Sequence, residues 1–456
     1  MKIVVCIRQG LDGEINPFDA CAYEAALQIQ GSEITLLSMG PEKAKDFLHQ
    51  LTRRGAKNAV LLSDSAFAGA DTLATAYALS LAIKKIEPDL IICGRQTLVG
   101  DTAQVGPMLS VMCDCSLITN VMEIKSVDTE IKCITRAIGE ETAQLPSLIT
   151  VERINNLRLP SIRSKMGEIS VWSADDIGAD KNKCGLDGSP TRVLKTYENS
   201  KGKRKCKFIT LDELDGVIKA ALERSNSKQD FVVSSNKRLR QVVIVGESPR
   251  EFAEMVSDDI TVIPCDNEQN IIDYIVKTAP QAVLWGSDII SKRMASRVAA
   301  ALNLGLCADC TALDTDGEKL LMYRPALSGS IIAKIESLTY PAMATVRTKD
   351  SLVKDVFVSV GFGAKDNLDW VKSLAAKYDA ELASTRKSVD NGIMPYSTQV
   401  GLTGRSVAPP VYIAVGVSGA VHHIVGMQSS GTVIAINPDK KADIFDYADY
   451  GIIAEI

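Results

Sequence analysis

The sequence lacks the features that mark membrane proteins, secreted proteins and nucleic-acid-binding proteins. No apolar run approaches the roughly 18 residues that a membrane-spanning helix needs, so we expect no membrane span. The net charge is −5, which argues against a nucleic acid as the main partner. The first residues, MKIVVCIRQG, predict a β-strand rather than a signal peptide.

Metal-binding patterns are also scarce. The chain has 3 histidines, and its 11 cysteines are scattered. Cys113 with Cys115 and Cys307 with Cys310 could be half-sites for zinc or an iron–sulfur cluster, but no histidine or further cysteine supports either pair. We therefore expect no metal, buried free thiols and a reducing, cytoplasmic location. No general acid–base constellation stands out.

What the chain does contain is an internal repeat. The 456 residues suggest about three domains. An apolar strand ending on glycine, a helix and a Cys-Ser/Thr turn occur in 89–119 and again in 281–313. This predicts two related α/β domains in tandem. Between them, 198–207 is either a solvated connector or an arm that crosses to another domain, and 208–228 predicts an amphipathic helix.

The last quarter carries a second pattern. VYIAV (411–415) predicts a strand that turns on glycines into a helix, and such a turn leaves backbone N–H groups free for a phosphate. TVIAIN (432–437) follows and places Asn437 at the carboxyl edge of the sheet, where ligands of open α/β sheets bind. The adjacent His422 and His423 are either one core and one solvated histidine or include a ligand contact. Gly361-Phe362-Gly363 is half of a dinucleotide-binding fingerprint and weak alone.

This quarter resembles the FAD-binding domain of the α subunit of electron-transfer flavoproteins. The matching runs are VDNGIMPYSTQVGLTG (389–404), SGAVHHIVGM (418–427), AIN (435–437) and ADYGI (448–452). The resemblance implies FAD contacts from Thr385, Arg386, Gln399, Gly401, Thr403, Ser418, Gly419, Ala420, His423 and Asn437.

Within that set, the resemblance places Arg386 and Thr403 near the reactive ring and His423 near its pyrimidine oxygen. A cation or donor there stabilises anionic reduced flavin. The sequence departs from the family pattern at Phe362, which replaces an arginine, and at Leu402, which replaces a glutamine.

The N-terminal half resembles the β subunit of the same family, through INPFD (15–19), DSAFAGADTLATAYAL (64–79) and LIICGRQTLVGDTAQVGP (90–107). Residues 236–345 resemble the first domain of the α subunit. The chain is thus identified as a natural fusion, β first. We expect a β-like α/β domain (1–197), a linker with a helix (198–235), a related α/β domain (236–345) and a doubly wound FAD-binding domain (346–456).

By the resemblance, the β-like domain holds AMP in ordinary members and a second FAD in electron-bifurcating members. GDTAQVGP (100–107) and GADTLAT (69–75) look like the bifurcating type, although Val99 departs from it. The alternative is a helix N-cap with no ligand. The implied contacts are Cys6, Asn16, Met39, Asp101, Thr102, Ala103, Gln104 and Val105.

Three functions remain open at this point. The first is an electron carrier between a donor and an acyl-CoA dehydrogenase-type flavoenzyme. The second is an NADH-oxidising bifurcating enzyme with ferredoxin as a further partner, and the third is a non-redox nucleotide-binding protein. Residues 152–166 resemble the family's docking loop, with Leu159 as apolar anchor between Arg158 and Arg163; the alternative is an ordinary surface loop.

Overall fold

The computed structural model describes residues 1–10, 13–97, 100–152, 156–198, 204–226, 237–326, 331–347, 354–401, 404–405 and 407–455. These form two compact units. The first contains Met1–Thr196, Val233–Ala326 and Ala333–Thr348, and the second contains Tyr197–Val232, Leu327–Ile332 and Lys349–Ile456. In the part of the chain that is described, no helix is both long enough and apolar enough to cross a bilayer.

The first unit contains a nine-stranded sheet. Its strands, in chain order, are β1 (Lys2–Cys6), β2 (Glu33–Met39), β3 (Asn58–Leu62), β4 (Leu90–Gly94), β5 (Ser116–Val127), β6 (Glu130–Thr135), β7 (Gly139–Gln144), β8 (Ser147–Val151) and β9 (Glu168–Trp172). Its helices are α1 (Pro17–Gln28), α2 (Ala44–Thr52), α3 (Thr72–Ile86) and α4 (Val105–Met112).

The order of this sheet is β7-β6-β5-β8-β4-β1-β2-β3-β9, and only the β5–β6–β7 ribbon is antiparallel. The central parallel strands β1, β4 and β8 are nearly continuous apolar runs because helices cover both faces. The chain moves from β1 to β2 on one side, and β4 pairs with β1 on the other. The strand order therefore reverses between β1 and β4, which is where ligands of such sheets bind.

Two smaller sheets follow along the chain. A four-stranded sheet has the order β10-β18-β17-β16, with β10 (Thr191–Glu198), β16 (Ala312–Thr315), β17 (Leu320–Ala326) and β18 (Ile331–Ser337). A parallel sheet has the order β13-β12-β14-β19-β15, with β12 (Val242–Val245), β13 (Ile260–Ile263), β14 (Ala282–Trp285), β15 (Leu306–Cys310) and β19 (Ala342–Val346). Its helices are α6 (Arg250–Val256), α7 (Glu268–Thr278) and α8 (Ile289–Leu302).

The predicted repeat is confirmed by strand order. The run β5-β8-β4-β1 in the first sheet corresponds to β15-β19-β14-β12 in the second, with α4 and α8 at equivalent places. The two sheets thus share this part of their topology. A central strand ends on Gly94 in the first sheet and directly before Gly286 in the second, at the glycines that the sequence pattern indicated.

The second unit is built on one parallel sheet, of order β11-β24-β23-β22-β20-β21. The strands are β11 (Lys207–Phe208), β20 (Val356–Val360), β21 (Glu381–Ser384), β22 (Val411–Val415), β23 (Thr432–Ile436) and β24 (Tyr450–Ile452). The helices are α5 (Leu214–Asn226), α9 (Leu368–Lys377), α10 (Arg386–Asp390) and α11 (Val421–Met427).

Alternate residues of these strands face two separate cores. Val411, Ile413 and Val415 pack with α5 and α9, whereas Tyr412 and Ala414 pack with α11 on the other face. The sheet is therefore doubly wound, as the sequence predicted. The connector behaves as an arm where it is described, because residues 207–208 pair with β24. The predicted helix at 208–228 begins later, after Thr210 and Glu213 form a capping box.

Candidate functional site

The second unit has a cleft of about 750 Å³ along the carboxyl edge of its sheet. That volume suits a cofactor of nucleotide size. The cleft crosses the ends of β21, β20, β22 and β23, so it collects residues from four separate loops. Eight of the ten residues implied as FAD contacts line it: Thr385, Arg386, Gln399, Gly401, Ser418, Ala420, His423 and Asn437. Gly419 lies inside the same turn, and Thr403, with Leu402, lies outside the described residues.

The turn between β22 and α11 is shaped by close backbone packing. Gly419 has φ +98, and a Cβ at this position would lie 2.2 Å from the amide nitrogen of Ile444. A Cβ at Gly361 would lie 2.0 Å from the carbonyl oxygen of Gly416, so the ends of β20 and β22 also need glycine. The glycine pattern at 361–363 therefore serves packing between two loops.

The same turn presents unpaired donors. Among the described residues, the amide N–H groups of Ser418, Gly419 and Ala420 have no hydrogen-bond acceptor. Ser418 and Ala420 are exposed at the cleft. The carbonyl oxygen of Ser418 accepts from the amide of Ile444 at 3.2 Å, which fixes the turn. Three clustered backbone donors at a cleft of this size fit the diphosphate of FAD.

Asn437 braces the turn from the neighbouring strand end. Its Nδ2 donates to the carbonyl oxygen of Val417 at 2.9 Å, and its Oδ1 accepts from the amide of Asp439 at 3.0 Å. The side chain is buried, with 7% of its surface exposed. Asn437 thus lines the cleft and holds two loops at the sheet edge in place.

The two histidines have different environments. His423 is buried, and its Nδ1 lies 3.0 Å from the carbonyl oxygen of Val400 while its Nε2 lies 3.1 Å from the hydroxyl of Tyr412. Because a carbonyl only accepts, Nδ1 carries the proton and Nε2 accepts from Tyr412. Burial lowers the pKa of His423 to about 4, so the ring is neutral near pH 7. His422 is exposed and lines the cleft.

This pattern matches the alternative of one core and one solvated histidine, with both bordering the cleft. Both ring nitrogens of His423 are bonded within the protein. The assigned contact between His423 and a pyrimidine oxygen therefore stays a prediction, and the geometry gives the ring a bracing role between β22 and Val400.

The polar residues at the β21 end of the cleft are held by separate short-range contacts. Thr385 caps α10 by accepting from the amide of Ser388 at 3.4 Å, and the Ser388 hydroxyl donates to the carbonyl oxygen of Val360 at 2.9 Å. The Arg386 Nε lies 3.2 Å from Oδ2 of Asp390. Gln399 is 1% exposed, and its carbonyl oxygen accepts from the amide of Arg405 at 2.8 Å.

Sequence reasoning missed part of the lining. Lys387, which the sequence did not indicate, lines the cleft together with Phe362 and His422, which it had singled out. The Lys387 ammonium lies 4.3 Å from the centroid of the Phe362 ring. Lys387 directly follows a residue that the resemblance implied, but proximity in sequence does not reveal which side chains meet across two loops.

The residues implied in the N-terminal domain lie at the carboxyl edge of the first sheet. Cys6 ends β1, Met39 ends β2, and Asn16 precedes α1. Cys6 and Asn16 border the point between β1 and β4 where the strand order reverses, and Met39 lies one strand further along the same edge. Asn16 is buried, and its Nδ2 donates to the carbonyl oxygen of Gln96 at 3.0 Å. The buried Asp19 carboxylate accepts from the amide of Arg8 at 2.8 Å, and burial raises the pKa of Asp19 to about 7.

The loop between β4 and α4 contains Asp101, Thr102, Ala103 and Gln104, with Val105 as the first residue of α4. Asp101 and Ala103 have φ +50 and +57, which is unusual without glycine. The Nη2 of Arg324 donates to the carbonyl oxygens of Gly100 at 3.0 Å and Asp101 at 2.9 Å. The buried Gln104 accepts from Thr72 at 2.9 Å and donates to the carbonyl oxygen of Leu306 at 3.2 Å.

The helix-capping alternative holds for only one of the two acidic motifs. Gln104 occupies the N-cap of α4 and makes no side-chain cap bond, whereas Asp101 accepts from Gln96 at 2.6 Å. In GADTLAT, by contrast, Asp71 caps α3 and also accepts from the hydroxyl of Thr191 at 2.7 Å. Val99 lies outside the described residues.

The loop at 156–166, for which a docking role is predicted, exposes apolar side chains. Leu159 is 85% exposed, Ile162 98% and Met166 54%. Arg158, expected as a rim charge, instead forms a forked ion pair with the buried Glu24, whose Oε1 lies 2.6 Å from Nη2. Burial alone would raise the pKa of Glu24, but the hydrogen bonds from Arg158 lower it below its usual value. The ion pair anchors the loop base to α1.

Neither cysteine pair belongs to a metal-like cluster of side chains in the described part of the chain. Among the described residues, no three His, Cys, Asp or Glu side chains cluster as a metal site would require. Burial raises the pKa of Cys113 to about 12 and that of Cys115 to about 11, so both thiols are protonated near pH 7. Cys307 and Cys310 are buried in β15.

Comparison with known proteins places these features in a family. The electron transfer flavoprotein domain matches residues 3–177 and 267–352, and the electron transfer flavoprotein FAD-binding domain matches residues 353–428. Curated relatives match the N-terminal half. Protein FixA of Azorhizobium caulinodans is 38% identical over 247 residues, 49% of this chain and 88% of FixA.

Two further relatives carry other names. The electron transfer flavoprotein subunit beta of Thermoanaerobacterium thermosaccharolyticum is 38% identical over 235 residues, 49% of this chain and 89% of the subunit. The caffeyl-CoA reductase-Etf complex subunit CarD of Acetobacterium woodii is 39% identical over 211 residues, 43% of this chain and 80% of CarD. The β-like and FAD-binding parts thus occur in one polypeptide.

Proposed function

Because the chain belongs to the electron transfer flavoprotein family, we propose that it carries electrons between an electron donor and a flavoenzyme that acts on CoA thioesters. It binds FAD in its C-terminal part and takes part in electron transfer. Bound FAD supplies the group that accepts and releases electrons. The observation that carries the proposal is the cleft at the sheet edge, with the three unpaired amides of 418–420 inside the region matched to the FAD-binding domain.

We assign the cleft residues the following roles. Ser418, Gly419 and Ala420 offer backbone donors to the diphosphate, while Asn437 and His423 hold the surrounding loops. Arg386 places positive charge near the ring that accepts electrons, following the family resemblance. Thr385, Gln399 and Gly401 complete the β21 side of the cleft. Neutral His423 fits a bracing role better than that of a cation.

The test is the flavin content of the purified chain. One FAD released per chain by acid, together with one AMP, supports the carrier. A flavin spectrum that is absent after reconstitution with FAD would sink the proposal.

A second candidate function is electron bifurcation, in which the N-terminal site also binds FAD and the chain oxidises NADH with ferredoxin as acceptor. The GDTAQVGP loop favours it, because this loop looks like the bifurcating type and lies at the reversal of strand order. Two FAD per chain and rapid bleaching by NADH would support this function. Two FAD without any reaction with NADH would argue against NADH as donor.

The partner surface that we propose is the loop at 156–166. Leu159, Ile162 and Met166 expose apolar area next to each other in sequence, and the Arg158–Glu24 ion pair fixes the loop base. A small apolar anchor on a firm base suits docking into a partner's pocket. The name of the CarD relative links a protein of this kind to a CoA-thioester reductase. Cross-linking from an Ile162→Cys variant to an acyl-CoA dehydrogenase tests the surface.

A further inference from the structure

The cleft contains a cation that none of the roles above uses. Lys387 lines the cleft next to Phe362, with its ammonium 4.3 Å from the ring centroid. Among the described residues, no carboxylate lies within ion-pair distance of Lys387, whereas its neighbour Arg386 is paired with Asp390 at 3.2 Å. In the described part of the chain, Lys387 is therefore a cleft cation that forms no ion pair with a carboxylate.

The position of Lys387 is set by both loops that meet there. Phe362 directly follows Gly361 at the end of β20, and Lys387 lies in α10 directly after β21, the neighbouring strand. The next residue, Ser388, is fully buried and donates to the carbonyl oxygen of Val360 at 2.9 Å. This bond ties α10 to the end of β20, so the lysine stem starts from a fixed backbone position above the ring.

An aromatic face attracts an ammonium without neutralising its charge. A lysine held in this way keeps its donors and its full charge available to a ligand, unlike one paired with a carboxylate. Lys365 reaches the same ring at 5.2 Å, but it does not line the cleft and lies 4.0 Å from the Asp366 carboxylate. Of the two lysines on this ring, only Lys387 borders the ligand space.

We propose that Lys387, held over the Phe362 ring, is a cofactor-binding cation that contacts a negatively charged part of the FAD in this cleft. The inference rests on FAD occupying the C-terminal cleft. The negative charge has two sources in FAD: the diphosphate, which is charged in every redox state, and the ring system, which gains charge on reduction. The two sources predict different measurements.

The experiment compares Lys387→Met, Lys387→Arg, Phe362→Leu and Lys365→Met in the full-length chain. The dissociation constant of oxidised FAD is measured by fluorescence quenching, with ADP as a competitor that carries the diphosphate but no flavin. The C-terminal contribution is the part of each titration that Ser418→Trp removes. The reduction potential of the C-terminal FAD is measured alongside, and thermal unfolding of the apoprotein reports folding.

If the diphosphate is the contact, Lys387→Met weakens oxidised FAD and ADP alike by about tenfold, the scale of one hydrogen bond to a charged group. If the ring is the contact, oxidised FAD and ADP bind as before, and the reduction potential falls because reduced FAD binds about tenfold more weakly. In both cases Lys387→Arg keeps affinity and reduction potential close to those of the unmodified chain, because arginine also carries a positive charge. Lys365→Met changes neither the affinity nor the reduction potential.

Phe362→Leu should cause a smaller loss of the same kind, and it should add little to Lys387→Met because the ring acts through the ammonium. The proposal is overturned if Lys387→Met leaves affinity and potential unchanged, or if Lys365→Met has an equal effect. Failure of the unmodified chain to bind FAD would instead contradict the proposed function.

Discussion

The two candidate nucleotide sites lie at equivalent edges of parallel sheets, yet their loops are held in opposite ways. In the C-terminal cleft the turn at 416–420 is built on glycines and leaves the amides of Ser418, Gly419 and Ala420 without acceptors among the described residues. In the N-terminal loop the backbone is left-handed at Asp101 and Ala103, and Arg324 holds its carbonyls from a distant segment.

The two loops show two ways in which a protein can fix the backbone of a ligand site before the ligand binds. The glycine turn obtains its shape from its own glycines and from contacts with Asn437 and Ile444 at the same sheet edge. The N-terminal loop is strained, since non-glycine residues with positive φ cost roughly 1–3 kcal/mol each. Its shape depends on Arg324 and on Gln104, whose partners include the carbonyl oxygen of Leu306. We therefore expect the two sites to fail for different reasons.

The largest expected effect on cofactor binding is at the glycine turn. Ser418→Trp fills the space in front of the unpaired amides, so the C-terminal FAD should be lost, with at least a hundredfold weaker binding on the scale of several lost contacts to a charged group. Ser418 is exposed, so stability of the apoprotein should not change. Ser373→Trp, at an exposed position of α9, is the matched control. Retention of full FAD content by Ser418→Trp would place the cofactor elsewhere.

Buried titratable groups should give the two units opposite pH dependence. The pKa of Asp19 is raised to about 7 by burial, compared with 3.8 in the unfolded chain. Its contribution to the free energy of unfolding is therefore complete below pH 3.8 and is lost as the pH rises through 7. This should lower the free energy of unfolding of the first sheet by about 4 kcal/mol across that window. Asp19→Asn should flatten the trend.

In the second unit the free energy of unfolding should change with pH in the opposite direction. The pKa of His423 is lowered to about 4, compared with 6.5 in the unfolded chain. Its contribution to the free energy of unfolding is therefore complete above pH 6.5 and is lost as the pH falls towards 4. The free energy of unfolding should fall by about 3 kcal/mol over this pH range, and the His423→Gln variant should not show this fall. Hydrogen exchange of peptides from β1 and β22, corrected for intrinsic rates, would measure both. If the stability measured by the β1 and β22 peptides changes with pH in the same direction, the predicted opposite pH dependence is wrong.

A smaller effect is expected from the long-range clamp. Arg324→Met leaves the carbonyls of Gly100 and Asp101 without their charged donor, at a cost of about 2 kcal/mol. A nucleotide bound at the proposed N-terminal site should be lost while the C-terminal FAD remains. Arg238→Met is a matched control, because Arg238 also donates to two carbonyls, of Glu254 and Met255, but is exposed. Equal nucleotide loss in both variants would exclude a specific clamp.

The smallest effect on stability is expected at the docking loop. Leu159→Ala should change the free energy of unfolding by less than about 0.5 kcal/mol, because an exposed side chain adds little to the core. It should nevertheless slow electron transfer to an acyl-CoA dehydrogenase and leave the flavin spectrum unchanged. Val276→Ala, at an exposed apolar position of α7, should alter neither. A large drop in melting temperature with transfer intact would make Leu159 a structural residue.

The sequence predicts local features well and long-range contacts poorly. VYIAV matches β22 to the residue, because a strand buried on both faces is a continuous apolar run. The glycine turn and the sheet repeat were also visible as patterns. The contact of Arg324 with the loop at 100–101 was not, since more than 200 residues separate the partners. Nor could adjacent His422 and His423 be assigned to solvent and core until α11 was packed.

One feature of the arm bears on how the fused chain could be divided. The Arg204 guanidinium pairs with Asp449 and donates to the carbonyl oxygens of Gln428, Ser430 and Gly431, while β11 adds a strand to the C-terminal sheet. Leu214, Ile218 and Ala221 of α5 lie in the core of that sheet. A two-chain version cut within 199–203 keeps these pieces with the FAD-binding polypeptide. A cut within 227–236 transfers them to the other polypeptide, which must then supply them in trans, so co-expression becomes a condition for assembling the cofactor site.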